Sequence, residues 1–475
     1  MTAFLKVVAV ALTVALLIPG FGFTQEHHGP PPPPVQETEP PPQAAPQEHP
    51  GPPPPLPMDK SATPSCVPDQ QGTSLAAVIE HQATPSPAQA SGHVLTGLEV
   101  LLQNLPDELR GKRIGLITNP SGVDAELHST IDLLAARRDV QLVALFGPEH
   151  GVRGDAQGDV PHSIDPKTGL PVYSLFGPTK EPTPPELRNL DALVFDVQDI
   201  GSRFYTYIST LGLAMQQAAA NHLLFVVLDR PNPLGGQMVD GPVLDPQWTS
   251  FFGMYPLPII HGMTIGELAT MFNAEYNIGA RLLVVRMEGW RRSMWFDDTG
   301  LPWVMPSPGI PHFQTALLYP AAGPLGDTSL NVGGLTAKPF EFVGGPFVQP
   351  WQLLPALAAR HLPGVAFREV YWRSEPWKET GGPELGGVEV RITDRAAYRP
   401  VDLTLQILQA VRSLYPWQFR WGPRSKGRYL FDLDMGTDRV RLDLMAGKTP
   451  EQIEREWQPD LARFLQIRQK YLLYQ

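Results

Sequence analysis

The chain has 475 residues, with 37 Lys+Arg against 48 Asp+Glu, a formal net charge of −11 and a single cysteine. That length exceeds what one hydrophobic core supports and predicts two folded domains plus accessory sequence. The acidic balance, with no dense basic run, argues against a nucleic-acid partner, and a lone Cys66 rules out an intrachain disulfide or a cysteine-based zinc site.

Lys6 precedes an apolar run, Val7 to Phe23, of signal-peptide length and short for a membrane span. Residues 1–24 are read as an export signal, with an uncleaved anchor as the alternative, so the folded part is expected in the periplasm or the extracellular cell-wall space. Membrane contact is expected at most through this segment. Residues 25–93 form a Pro-rich linker: Gly29 to Pro57 holds 15 prolines and almost nothing that enters a core, the composition of an extended polyproline II tether. A short helix is expected within it, over Thr73 to Gln82.

Folded sequence begins near Val94. A helical spacing covers Leu98 to Leu109, and Lys112 to Thr118 reads as a buried strand. A helix follows, capped by Asp124, with Leu127, Ile131 and Leu134 on its apolar face. Val140 to Phe146, Ala192 to Val197, Leu223 to Leu228 and Arg281 to Met287 are further apolar strands. Between them lie a hairpin-like stretch, Gly169 to Phe176, and helices over Phe204 to Ala220 and from Thr264 to Phe272. Near-continuous apolar strands alternating with helices predict a parallel sheet covered on both faces, a Rossmann-like domain over residues 94–305. The first strand runs into Gly-Leu-Ile-Thr-Asn-Pro-Ser-Gly without a G-x-G-x-x-G fingerprint, so no nicotinamide cofactor is expected. Pro-rich turns from Leu301 to Pro311 mark the crossing into a smaller α/β (α+β) domain, residues 306–475. It holds a Gly-rich stretch, Gly323 to Gly345, a strand over Gly387 to Ile392, a helix near Leu403 to Leu414 and a helical tail from Pro450 to Leu473.

Strand ends in a parallel sheet share one rim, where ligands bind. Phe146 to Asp155 reads FGPEHGVRGD, placing Glu149 and His150 just past a strand, among glycines that permit tight turns. Asn119, Asp196 with Asp199, and Asp229 with Arg230 follow other strands. With Arg153, Arg203, Tyr205 and neighbouring aromatics, this rim suits a polar, ring-shaped, anionic ligand. Hydrolysis of a sugar needs a protonated acid at the leaving oxygen and a second, ionised group at the anomeric centre. Glu149 is the candidate acid, and Asp196, Asp199, Asp229 and Glu341 are candidates for the second role. Simpler roles stand beside these: Asp199 as a helix cap, Asp229 as the ion-pair partner of Arg230. A metal reading, through His150, Asp155, His162 and Asp165, lacks a compact ligand spacing on one element, and no metal or other cofactor is expected.

FGPEHGVRGD at Phe146, TGLPVYSL at Thr168, FDVQDIGSRFYTY at Phe195, LDRPNPLGG at Leu228, HGMTIGELA at His261 and the PFE tripeptide at Pro339 closely resemble the exo-acting β-N-acetylmuramidases of peptidoglycan turnover. The resemblance covers about Val94 to Tyr474. It implies a Rossmann-like domain beside a smaller α/β domain, an active site in the cleft between them, and release of N-acetylmuramic acid from non-reducing ends of peptidoglycan-derived disaccharides or glycan strands. It puts the catalytic glutamate on Glu149. The rim's Asn119, Asn232 and His261 join the candidate substrate-binding residues, and the lactyl carboxylate of muramic acid would find a partner in Arg203 or Arg230. Where the family usually reads S-x-G-R-G-T, this chain has Asn331 to Thr336, with Gly334 at the arginine position. A non-catalytic muropeptide-binding protein and a metal-dependent hydrolase are the alternative functions.

Overall fold

The computed structural model describes residues 93–154, 161–375 and 381–475. The expected export signal, the linker and its short helix lie outside these residues. Among the described residues, no helix is long and apolar enough to cross a membrane.

The apolar runs form strands at nearly the expected places: β1 (Arg113–Thr118), β2 (Gln141–Gly147), then β3 (Ser163–Ile164) and β4 (Pro171–Ser174) as a short hairpin, β5 (Ala192–Asp196), β6 (Leu224–Leu228) and β7 (Arg281–Val285). They make one seven-stranded sheet in the order β3-β4-β2-β1-β5-β6-β7. All its pairings are parallel except that of β3 with β4. Every residue of β5 and β6 is buried, as a sheet covered on both faces requires. Helices α1 (Gly97–Gln103) and α2 (Thr130–Ala135) cover one face through Leu98, Leu101, Ile131 and Leu134. After the single turn α3 (Pro184–Leu187), α4 (Tyr207–Ala220) and α5 (Ile265–Glu275) cover the other through Leu211, Met215, Leu268 and Phe272.

The smaller domain opens with α6 (Phe313–Gly326) and carries an antiparallel sheet in the order β8-β10-β9, from β8 (Phe342–Gly345), β9 (Val365–Arg373) and β10 (Glu384–Ile392). It is packed by α7 (Pro350–Ala358) and α8 (Pro400–Leu414), then α9 (Leu430–Met435), α10 (Arg439–Met445) and the long α11 (Pro450–Arg468). Its core takes in Phe204, Leu234, Ile259 and Ile260 from the first domain, and Phe464 of α11 packs in return among the side chains over α4 and α5.

Two local expectations differ from the structure. The helix after β1 starts at Thr130 with Ser129 as its cap. Asp124 instead closes a turn, accepting from the amides of Glu126 and His128 at 3.1 and 2.7 Å, and Leu127 is 56% exposed. Competing side-chain-to-backbone bonds of this kind hold the chain out of a helix. The second difference is α6, a helix that the sequence did not announce: it holds Pro320 and Pro324 in its interior and takes in Gly323, the start of the Gly-rich stretch. Its Leu317, Ala321 and Leu325 are buried in the second core. The hydroxyls of Tyr398 and Thr404 reach the carbonyls of Leu317 and Ala321 at 3.2 and 2.8 Å, bracing a hydrogen-bond ladder that the prolines weaken.

The chain runs outward from β1 to β2 and β4, then returns to β5 on the other side of β1, which makes the β1/β5 border a topological switch point. A buried ion pair clasps the rim there. Arg230, just past β6, donates from Nε and Nη2 to the two oxygens of Asp196 at 2.5 and 3.0 Å, and Thr130 of α2 donates to the same carboxylate at 2.5 Å. Removing one member leaves the other charged and buried, a loss of roughly 3–5 kcal/mol. Arg230→Met is therefore expected to destabilise the fold by that amount in chemical denaturation; a loss below about 1 kcal/mol would show that the pair does not hold the rim.

Candidate functional site

The first side chain past β1, Asn119, is fully engaged. Its Oδ1 accepts from the amide and hydroxyl of Ser121 at 3.0 and 2.5 Å, and its amide donates to the carbonyl of Pro306 at 3.0 Å. Tyr207, at the start of α4, donates its hydroxyl to that same carbonyl at 2.5 Å. The crossing into the smaller domain is thus pinned to the rim from two strands' ends.

Glu149 stands past β2, after Gly147-Pro148, and is half-buried. Its Oε2 accepts from the hydroxyl of Thr206 at 2.7 Å, and the Tyr207 hydroxyl lies 3.5 Å from its backbone oxygen. The next residue, His150, has φ 72°, a left-handed conformation that costs a non-glycine residue energy and recurs at functional loops. The far end of the loop is tethered by Arg153, which donates to both oxygens of Asp165 at 2.6 and 3.1 Å. These bonds, together with those from Thr168, hold the Asp165 carboxyl well below the usual carboxylate range. Asp165 is therefore occupied by Arg153 and Thr168, and the Nδ1 of His162 accepts from the amide of Ser174 at 3.1 Å. Asp155, the remaining member of the metal reading besides His150, lies outside the described residues.

Several other candidates prove to be tied into the fold. Asp196 and Arg230 hold each other. Asp229 accepts from the hydroxyls of Thr264 and Tyr474 at 2.7 and 2.6 Å and from the amides of Gly266 and Arg230 at 2.8 and 3.0 Å. It therefore anchors the start of α5 and the end of the chain, and Arg230 reaches it only through the backbone. Asn232 bridges the Met263 carbonyl and the Leu234 amide, both at 2.9 Å. A Cβ on Gly201 (φ +80°) would run into the Asn232 side chain, so this close approach requires glycine. Arg203, 1% exposed, donates to the carbonyls of Pro242 and Leu257 at 2.8 Å each and to that of Asp434; burial lowers its pKa to about 9. Glu341, 3% exposed, is met by Lys338 at 3.2 Å.

Asp199 is different. Its Oδ2 accepts from the amide of Gly201 at 2.7 Å, whereas its buried Oδ1 has no partner among the described residues. Since α4 begins only at Tyr207, this carboxylate closes a turn and caps no helix. His261, 0% exposed, accepts from the Met263 amide through Nδ1 at 3.1 Å. Its neutral ring therefore carries the proton on Nε2, which lies 3.7 Å from Oδ2 of Asp199 and makes no hydrogen bond among the described residues. Unpartnered buried polar atoms of this kind call for a water or a ligand. Burial, with the charges of Glu149 and Asp199, raises the pKa of the Tyr207 hydroxyl above the ordinary phenol value.

Thr206 and Tyr319 are the groups that residue-by-residue reading passed over, whereas Tyr207 was read as one of the rim's aromatics. Thr206 lies in the FYTY stretch between Tyr205 and Tyr207, where a hydroxyl run at a helix start was the available signal. Tyr319 lies in α6, the helix hidden by its prolines. A cavity of about 520 Å³ between the 242–256 segment, α10 and α11 shares no residue with the rim.

The N-terminal model of the exo-β-N-acetylmuramidase NamZ family matches residues 114–314, and the C-terminal model residues 317–474. The chain belongs to the NamZ family. It is 46% identical over 383 residues to the peptidoglycan β-N-acetylmuramidase NamZ of Bacillus subtilis (strain 168), covering 80% of this chain and 91% of that protein. Two crystal structures of DUF1343 family proteins from Bacteroides fragilis NCTC 9343 share the fold. One superposes with a TM-score of 0.75 at 42% identity, over 81% of this chain and 99% of the other; the second has a TM-score of 0.65 at 30% identity, over 80% and 99%. The junction of the two NamZ models falls just beyond the Pro-rich crossing. At the position where a NamZ-type arginine was expected, Gly334 is exposed and an added Cβ would meet nothing within 4 Å, so a longer side chain fits there without rearrangement.

Because Asp165 is held below its ordinary value of 3.8, its tie to Arg153 stabilises the fold above that pH and is lost as pH falls through the lower, folded-state value. Asp165→Asn is expected to lower the unfolding midpoint at pH 7, with the gap from wild type closing between about pH 4 and pH 2. A gap that is constant across this range would contradict the assignment.

Proposed function

We propose that this chain is an exo-acting β-N-acetylmuramidase, a glycoside hydrolase that releases N-acetylmuramic acid from the non-reducing ends of peptidoglycan fragments. The observation that carries the reading is Glu149: a half-buried carboxyl on the sheet's rim just past β2, oriented by the Thr206 hydroxyl at 2.7 Å. A carboxyl so placed, on a tethered loop, fits the acid that protonates the leaving glycosidic oxygen. Family membership and the Bacillus relative support the same chemistry.

For the ionised partner, the hydrogen bonds favour Asp199 over Asp196, Asp229 and Glu341. Those three carboxylates are occupied by arginine, by hydroxyls and amides, or by lysine, whereas Asp199 keeps one oxygen unpartnered and faces the Nε2–H of His261. Neither Arg203 nor Arg230 is retained as partner of the lactyl carboxylate, since both guanidinium groups are bonded within the protein. Residues 1–24 fit delivery of the enzyme to a substrate outside the cytoplasm, and residues 25–93 a tether. The binding-only reading rests on Gly334 alone.

Glu149→Gln keeps the shape of the side chain and removes its proton. We expect turnover of a muramic acid-terminated disaccharide to fall by roughly 10²–10⁴-fold with the thermal unfolding midpoint unchanged. Wild-type rates in this variant would remove Glu149 from the mechanism.

A further inference from the structure

A second surface, built from none of the rim residues, forms at the end of α8 and the loop after it. The segment from Tyr415 to Trp421 (YPWQFRW) carries four aromatic residues, and the fold uses them unequally. Tyr415 and Phe419 are buried, and the Trp421 ring packs 5.2 Å from Phe419 and 4.9 Å from Phe431. Trp417 is 83% exposed. Its loop is nevertheless braced: Nη1 of Arg420 donates to the carbonyls of Trp417 and Phe419 at 2.6 and 2.7 Å, and the Arg420 amide donates to the Ser329 hydroxyl at 2.9 Å. An indole held in water on a fixed loop keeps an apolar surface that folding leaves uncovered.

Trp417 does not stand alone. The Tyr415 hydroxyl accepts from the Gln349 amide at 2.9 Å, which brings the start of α7 and Trp351, 56% exposed, beside the end of α8. Arg412 of α8 donates to the Leu444 carbonyl, which brings in Met445, 55% exposed, at the end of α10. Leu414, two residues past Arg412, is exposed as well. Large apolar side chains gathered at one surface mark an interaction site.

The charge around them is predominantly positive. In a chain of net charge −11, residues 412–448 hold eight Lys and Arg against four Asp, and two of those, Asp432 and Asp434, are buried. Arg439, Arg441 and Lys448 pair with Asp245, Asp432 and Asp443; among the described residues Arg412, Arg420, Arg424, Lys426 and Arg428 stand in no ion pair. The negative face of an indole attracts the C–H groups of a sugar ring, and cations without a partner attract carboxylates. A basic, aromatic face on an acidic protein is therefore complementary to a polymer that is both saccharide and anion.

We propose that the face around Trp417 docks the intact peptidoglycan polymer, a carboxylate-bearing glycan, and so raises the effective concentration of its chain ends at the catalytic cleft. The choice of partner rests on the hydrolase reading, while the binding itself is measured without turnover.

The test is co-sedimentation of the purified full chain with insoluble peptidoglycan sacculi, in the Glu149→Gln background so that the polymer is not trimmed. The protein is expected to pellet with the sacculi, and less so as salt is raised. Adding Trp417→Ala, which removes an exposed ring from no core, is expected to weaken retention about tenfold with the unfolding midpoint unchanged. In the otherwise wild-type chain, Trp417→Ala is expected to cleave the muramic acid-terminated disaccharide at the wild-type rate. Retention that is indifferent to Trp417→Ala overturns the proposal. So does retention on vesicles of anionic phospholipid in place of sacculi, or Trp417-dependent self-association without retention on sacculi. Loss of disaccharide cleavage in Trp417→Ala also overturns it, by assigning the residue to the cleft. A wild type that cleaves no disaccharide yet is held on sacculi through Trp417 overturns the hydrolase reading alone and supports the docking face.

Discussion

The rim depends on the carboxylate of Asp196. Set at the end of β5, it takes both donors of Arg230 from beyond β6 and the hydroxyl of Thr130 from α2; Arg230 in turn donates to the Val123 carbonyl of the loop after β1 at 2.9 Å. One buried anion therefore fixes the ends of two strands, the start of a helix and a neighbouring loop. In a low-dielectric setting such a pair tolerates little displacement, because each charge has no other compensation. The strand end that Asp199 follows is held in place by that pair.

A second layer of constraint joins the two domains. The Pro306 carbonyl receives Asn119 and Tyr207, Arg203 ties the 242–257 segment to Asp434 of α9, and Tyr474 near the chain's end bonds to Asp229 at the end of β6. The polar residues at the strand ends thus divide into two groups. Most hold the cleft together, and Glu149, Asp199 and His261 keep atoms or surfaces that these braces leave free for chemistry.

The sheet was legible because burial on both faces requires runs of apolar residues, and such runs stand out at β1, β2, β5, β6 and β7 against any background. The common rim followed from their parallel order, and with it the location of Glu149. What sequence could not show was which of several similar carboxylates are occupied. Asp196, Asp199 and Asp229 follow strands in the same way, and their difference lies in partners brought from 34 to 245 residues away. Arg203 and Arg230 read as ligands for an anion because a cationic side chain near a rim looks the same whether it faces solvent or carbonyls. Tyr319 was hidden by local signals, since Pro320 and Pro324 mark a turn until tertiary packing imposes a helix. The PFE motif was visible as a motif, but the left-handed backbone of Phe340 is a property of the fold around it.

The measurement that tests the central claim most directly is incubation of the purified full-length protein with a muramic acid-terminated disaccharide and, in parallel, with chitobiose, following the sugars released. The account predicts release of N-acetylmuramic acid from the first and no cleavage of the second. Binding of the muramic acid disaccharide without release of either sugar would contradict it and would make the protein a muropeptide binder built on a hydrolase fold.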